Sequence, residues 1–284
     1  MTAPQSISSA ATPPSVSAHA DRHPGEAAAV SPAAETTIRT PSAGLVAGWS
    51  GIHAGDVTLP LYYARPPGPG PFPVVLVVQE IFGVHEHIAD VVRRLALLGY
   101  LAIAPELYVR QGDPRTTVDL TVLRRDFVSK ADDAVVLADL DRAVSWAATQ
   151  GGDLARLAIT GFCWGGRITW LYAAHEASVK AAVAWYGRLD GERTPHTPQH
   201  PIDVAGRLLA PVLGLYGGQD QGIPLTQVEA MRAALAAANS PSRIEVFPDA
   251  PHAFYADYRP SYRADAAAAG WKQLVSWFAQ HGVA

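Results

Sequence analysis

Cys163, Asp220 and His252 are the residues of this 284-residue chain whose types and order could carry out covalent chemistry. Cys163 is the only cysteine. It sits in LAITGFCWGGR, Leu157–Arg167, where a short apolar run ending at Thr160 gives way to a glycine, a bulky residue, the cysteine and a Gly-Gly pair. The run that follows, Ile168-Thr-Trp-Leu-Tyr-Ala-Ala, can continue as a helix. A side chain at the apex of such a strand–turn–helix stands clear of its surroundings only if the backbone bends sharply, and Gly161 and Gly165 leave room for that bend. The helix starting beyond Cys163 also favours a thiolate through its N-terminal N–H groups. A thiol nucleophile needs a base for its proton and a third group to orient that base. Asp220 lies 57 residues after Cys163, just past an apolar run, and His252 lies 32 residues further, just past the next. In this reading His252 takes the thiol proton and returns it to the leaving group, while Asp220 fixes the tautomer. The plainer readings are a buried core cysteine, a turn aspartate and a loop histidine; three glycines around Cys163 argue against the first.

Negative charge growing on an attacked carbonyl oxygen calls for fixed donors. The backbone N–H of Trp164, directly after the nucleophile, is one candidate, and that of Ile81 is the other. Ile81 follows Glu80 in QEIFG, just beyond the apolar run Phe72–Val78. A carboxylate at the end of a buried strand is costly unless paired, so Glu80 is expected to meet a partner such as Arg110, or the thiol or imidazole.

The elements that must position these residues alternate. Leu45–Ile52 and Asp56–Tyr63 read as a hairpin at a sheet edge, with Pro60 favouring an edge position. Phe72–Val78, Tyr100–Ala104, Leu157–Thr160, Val179–Trp185, Leu208–Tyr216 and Arg243–Phe247 read as strands, the long apolar ones as buried parallel strands. Helical spacing runs through Ile88–Leu98, Asp132–Ala148, Leu225–Ala238 and Arg263–Gln280. Gly112–Lys130 reads as an excursion with a short helix near the mouth of the site, Gly151-Gly152-Asp153 as a break, and Thr194–Pro201 as a surface loop. The alternation predicts βαβ units in a mostly parallel central sheet with helices on both faces. The order nucleophile, acid, histidine is that of the α/β-hydrolase fold.

Composition narrows the function. The first 40 residues, mostly Ala, Pro, Ser and Thr, read as a disordered leader, which leaves 41–284 as one domain. The leader has no signal-peptide pattern, and the chain has no 18-residue apolar stretch for a membrane span. With one cysteine there is no intrachain disulfide and no multi-cysteine metal site, and a reduced cytoplasmic setting is expected. A net charge of −4 without a long basic run offers nothing for nucleic acid.

The pieces VVLVVQEIFGV, APELYVRQG, GFCWGG, YGGQD and PHAF resemble the dienelactone hydrolases, also called carboxymethylenebutenolidases, over nearly all of the chain outside the leader. The resemblance implies Cys163, Asp220 and His252 as triad, Glu80 as the glutamate that holds the thiol system in check until substrate binds, and Ile81 and Trp164 as oxyanion donors. It further implies Arg110 as one of two arginines clamping a substrate carboxylate, and an acyl-enzyme route needing no cofactor or metal. Four residues after His252, where the family motif places the second arginine, this chain has Ala256; Arg259 lies three residues on. The expectation is a cysteine hydrolase acting on a small ester or lactone, anionic or neutral, as a monomer or small homo-oligomer. The rivals are a broader carboxylesterase or thioesterase, and a non-catalytic binding protein on the same scaffold.

Overall fold

The computed structural model describes residues 35–117 and 119–284. Its sheet has eight strands: β1 (Val46–Ala54), β2 (Val57–Arg65), β3 (Phe72–Val78), β4 (Leu101–Pro105), β5 (Gly152–Phe162), β6 (Val179–Trp185), β7 (Val212–Gly217) and β8 (Arg243–Phe247). Their order is β1-β2-β4-β3-β5-β6-β7-β8. The β1–β2 and β2–β4 pairs are antiparallel and the rest parallel. Strands β3 and β4 are buried along their whole length, as their unbroken apolar sequences require of strands covered on both faces. The helices are α1 (Glu86–Leu97), α2 (Leu120–Val122), α3 (Asp133–Thr149), α4 (Trp164–Ala173), α5 (Pro201–Val204), α6 (Leu225–Ala237) and α7 (Ala264–Gln280).

This topology decides where the site lies. The connection from β3 to β4 runs in one direction across the sheet, and those from β4 to β5 and from β5 to β6 run in the other. Right-handed crossovers therefore set α1 on the face opposite α3 and α4. The connections leaving the adjacent strands β3 and β5 run in opposite directions, and the crevice beyond the ends of such strands is where open parallel sheets bind ligands. Glu80 follows β3 and Cys163 follows β5, one on each side of that crevice.

Several expected boundaries move. The hairpin is at the sheet edge, but β1 is the outermost strand and β2, with Pro60, is paired on both sides. Pro60 is tolerated because its carbonyl accepts from Glu106 N–H at 2.8 Å, beyond the Leu61–Ala64 pairs with β4, so its missing donor falls where that ladder has ended. Strand β5 begins at Gly152, which pairs with Phe72, so the expected glycine break is the start of the strand. Strand β7 starts at Val212, four residues later than the apolar run. The excursion after β4 contains short helical turns, with Leu123 and Phe127 buried beneath it.

The assigned leader falls into two parts. Residues 1–34 lie outside the described residues. Thr36 Oγ1 donates to the Asp257 carbonyl at 2.6 Å, Thr40 bonds the Asp90 carboxylate through both its N–H and its hydroxyl, and Arg93 Nε donates to the Thr40 carbonyl at 2.7 Å. Composition carries no sign of this anchoring, because the partners are charged side chains on α1 and a backbone carbonyl in the segment after His252.

Candidate active site

Cys163 occupies the turn between β5 and α4 with φ 54° and ψ −113°, a conformation that costs a non-glycine residue energy and persists only where its surroundings enforce it. The enforcement is visible. Cys163 N–H is held by the Trp185 carbonyl at 3.0 Å, and a Cβ on Gly165 would lie 2.4 Å from the carbonyls of both Val78 and Gln79. Only a glycine lets the start of α4 press against the end of β3, and this contact sets the elbow beside the loop that carries Glu80 and Ile81.

His252 Nε2 is 3.3 Å from Cys163 Sγ, and its Nδ1 is 2.6 Å from Asp220 Oδ2. Since a carboxylate only accepts, Nδ1 carries the proton and Nε2 faces the sulfur. Asp220 is oriented in turn by its other oxygen, which accepts from the N–H groups of Gly222 at 2.8 Å and Ile223 at 3.1 Å. Burial works against a charged His252 ring, but the Cys163 sulfur and the Asp220 carboxylate outweigh it and raise the imidazole to about 10. The three residues expected from strand-end spacing thus stand in proton-transfer order.

Trp164 is the first residue of α4, where helical N–H groups have no partner within the helix. Ile81 is in the loop after β3, and no described residue accepts from its N–H. The oxyanion role expected of both requires such unengaged donors.

Glu80 is 1% exposed and finds partners the sequence reading did not name. Tyr258 Oη donates to Glu80 Oε2 at 2.6 Å, and His85 Nε2 donates to the same oxygen at 3.3 Å. Burial pushes this carboxyl up, yet the His85 hydrogen bond and charge, with Arg259 and His87 behind, prevail and hold it near 2. Glu80 is therefore a buried carboxylate. A signal for His85 was available in the polar cluster HEH following QEIFG; for Tyr258, 178 residues away, there was none.

The two arginines part company. Arg110 donates Nη1 to Asp139 Oδ2 at 2.5 Å, Nε to Asp56 Oδ1 at 3.1 Å and Nη2 to the Ala54 carbonyl at 3.1 Å. Its guanidinium is committed to the β1–β2 turn and α3, and it is not the partner of Glu80. Arg259 is half-buried, its guanidinium 5.7 Å above the Phe82 ring, and acts electrostatically on both Glu80 and Cys163. The structure brings Cys163, Asp220, His252, Glu80 and Arg259 to one end of the sheet and leaves Arg110 out. Two further hydroxyls, those of Tyr108 and Tyr186, are buried without a hydrogen-bond partner among the described residues. Tyr186, at φ 38°, packs its ring 5.1 Å from that of His252.

Among the described residues no group of three His, Cys, Asp or Glu side chains could hold a metal ion, and no helix is long and apolar enough to cross a membrane. The family model for dienelactone hydrolases matches residues 59–282. A relative from Escherichia coli (strain K12), provisionally named a carboxymethylenebutenolidase, is 58% identical over 259 residues, covering 91% of this chain and 96% of that protein. One from Methylorubrum extorquens AM1 with the same provisional name is 58% identical over 262 residues, covering 92% and 90%. A crystal structure from Klebsiella pneumoniae, provisionally described as a dienelactone hydrolase, superposes with a TM-score of 0.82 at 59% identity, covering 83% of this chain and 99% of that one. With the α/β-hydrolase fold, the strand-end triad and a match spanning most of its length, the chain belongs to the dienelactone hydrolase family, and is a hydrolase.

Proposed function

We propose that this hydrolase opens lactones and small activated esters through a thioester acyl-enzyme on Cys163. The observation that carries the reading is the 3.3 Å approach of His252 Nε2 to a sulfur held at a strained elbow, with Asp220 fixing the far side of the ring. The Cys163 proton passes to His252, and the sulfur adds to the acyl carbon. The oxyanion is met by the N–H groups of Trp164 and Ile81, and collapse of the adduct expels an alkoxide or enolate that takes the proton from His252. Water, deprotonated by the same imidazole, then cleaves the thioester and releases the acid. No step draws on a cofactor. Enol esters and lactones suit a sulfur nucleophile because their leaving group departs easily.

Substrate breadth follows from the arginines. Arg110 is occupied, while Arg259 acts electrostatically on the sulfur and on Glu80. One cation supports a preference for an anionic lactone but not two-point capture of a carboxylate, so the reading extends to neutral esters. A relative from Bradyrhizobium, 29% identical over 237 residues, is provisionally named a 2-oxo-3-(5-oxofuran-2-ylidene)propanoate lactonase, which supports lactone opening as the reaction class.

Replacing Cys163 by alanine is expected to lower turnover of an enol-lactone and of an aryl ester by on the order of a thousandfold or more. Unchanged turnover on both overturns the mechanism. Arg259→Ala is expected to cost the anionic lactone about ten- to a hundredfold more in kcat/KM than a neutral ester, the equivalent of one charge-assisted hydrogen bond. Arg110→Ala is expected to affect both substrates alike, through loss of its buried tie to Asp139.

A further inference from the structure

The triad chemistry accounts for Cys163, Asp220 and His252 but not for how a buried carboxylate is kept in place beside them. We infer that His85 is a positioning residue for the cysteine chemistry: with Tyr258 it grips one oxygen of Glu80 and so holds that carboxylate charged and fixed next to the thiol. The inference rests on Cys163 being the nucleophile and assigns a role to two residues that do not touch it.

The grip is one-sided. Tyr258 and His85 both donate to Glu80 Oε2, while Oε1 is buried with no partner among the described residues. A carboxylate satisfied on one oxygen alone pays heavily for its burial, and so stays in place only because its holders are themselves held. They are. The His85 and Tyr258 rings meet edge to face at 5.1 Å, and His87 packs 5.1 Å from Tyr258 while donating Nδ1 to Asp257 at 3.1 Å. The groups facing Glu80 are His85 and His87 from the start of α1, Tyr258 and Arg259 from the segment after His252, and Tyr186 from the end of β6. Of these His85 alone offers both a hydrogen bond and a charge. Glu80 and Cys163 each lie two residues beyond the paired Val78 and Gly161 at the ends of the neighbouring strands β3 and β5, which sets the carboxylate's loop alongside the cysteine's turn, and Tyr186 and Arg259 interact electrostatically with both. Tyr258 is six residues after His252, and its bond to Glu80 ties the strand end bearing the imidazole to the loop bearing Ile81.

The test is the rate of Cys163 alkylation by iodoacetamide as a function of pH, which needs no substrate. His85→Phe removes both hydrogen bond and charge and lets Glu80 take up a proton; with that like charge gone from beside the thiolate, alkylation at neutral pH is expected to speed up about tenfold and the acid limb of the profile to move down by about one pH unit. His85→Gln keeps a donor without the charge and is expected to fall between wild type and His85→Phe. Tyr258→Phe should shift the profile in the same direction by less. Because His85 acts through Glu80, adding His85→Gln to Glu80→Gln is expected to change nothing further. Additive effects in that pair overturn the inference, as does a profile unchanged in His85→Gln while thermal stability falls, the mark of a purely structural role. Should His85→Phe not fold, the Gln variants decide alone. If wild-type Cys163 reacts no faster than a free thiol, it is the nucleophile reading that fails, an outcome distinct from both.

Discussion

Glu80 and Glu106 hold matching places in the molecule. Each follows the end of one of two neighbouring parallel strands, β3 and β4, and each is shut away from water. Their proton affinities are nonetheless displaced in opposite directions. At Glu80 the hydrogen bond and charge of His85 overcome burial and bring the group down to about 2. At Glu106 burial wins and raises it: Oε2 accepts from Val84 N–H at 2.9 Å, Oε1 has no partner among the described residues, and the nearest cation, Arg115, is spent on Asp113 at 2.7 Å. Burial alone therefore does not set the direction in which a strand-end carboxyl is displaced in this fold; a cation within hydrogen-bond reach reverses it. One carboxyl is held as a buried carboxylate by Tyr258 and His85. The other, its proton affinity raised by burial, packs against Gly83 and accepts from Val84 N–H, bracing the same loop.

The contrast can be broken most directly by neutralising each carboxyl. Glu80→Gln leaves His85 and Arg259 facing an amide, and the loss of one partner from a buried ionic group is expected to cost about 3–5 kcal/mol in urea unfolding at pH 7. Glu106→Gln keeps an acceptor for Val84 N–H and is expected to stay within about 1 kcal/mol of wild type. Equal costs would dissolve the distinction.

A finer test uses pH. Glu80 has a depressed folded-state value, so its stabilisation is full above the ordinary 4.5 and fades as pH falls toward 2. Glu106 is raised, so its contribution is full below 4.5 and fades as pH climbs through its folded-state value. The stability of Glu80→Gln should accordingly depend less on pH on the acid side of 4.5, and that of Glu106→Gln less above it. The same slope change in both variants would mean that the two groups titrate alike.

How much of this was legible in the sequence depends on how local the cause is. The proximity of Cys163, Asp220 and His252 could be read because each follows an apolar strand within a few residues, and parallel strands bring their ends together. The elbow could be read because its glycines are demanded within a few residues of Cys163. The fates of Arg110 and Glu80 could not, since Arg110 is captured by Asp139 on α3 and by Asp56 in the β1–β2 turn, while Glu80 is captured by Tyr258. In a one-dimensional reading these partners are ordinary surface acids and a core aromatic. Thr36 and Thr40 were hidden for a similar reason: their hydroxyls serve a backbone carbonyl in the segment after His252 and a carboxylate on α1.

That the chain has one sulfhydryl, at Cys163, has a redox consequence. Oxidation of Cys163 to a sulfenic acid would find no second thiol in this sequence to trap it as an internal disulfide. Repair then has to come from a small thiol or another protein that reaches the partly buried Cys163.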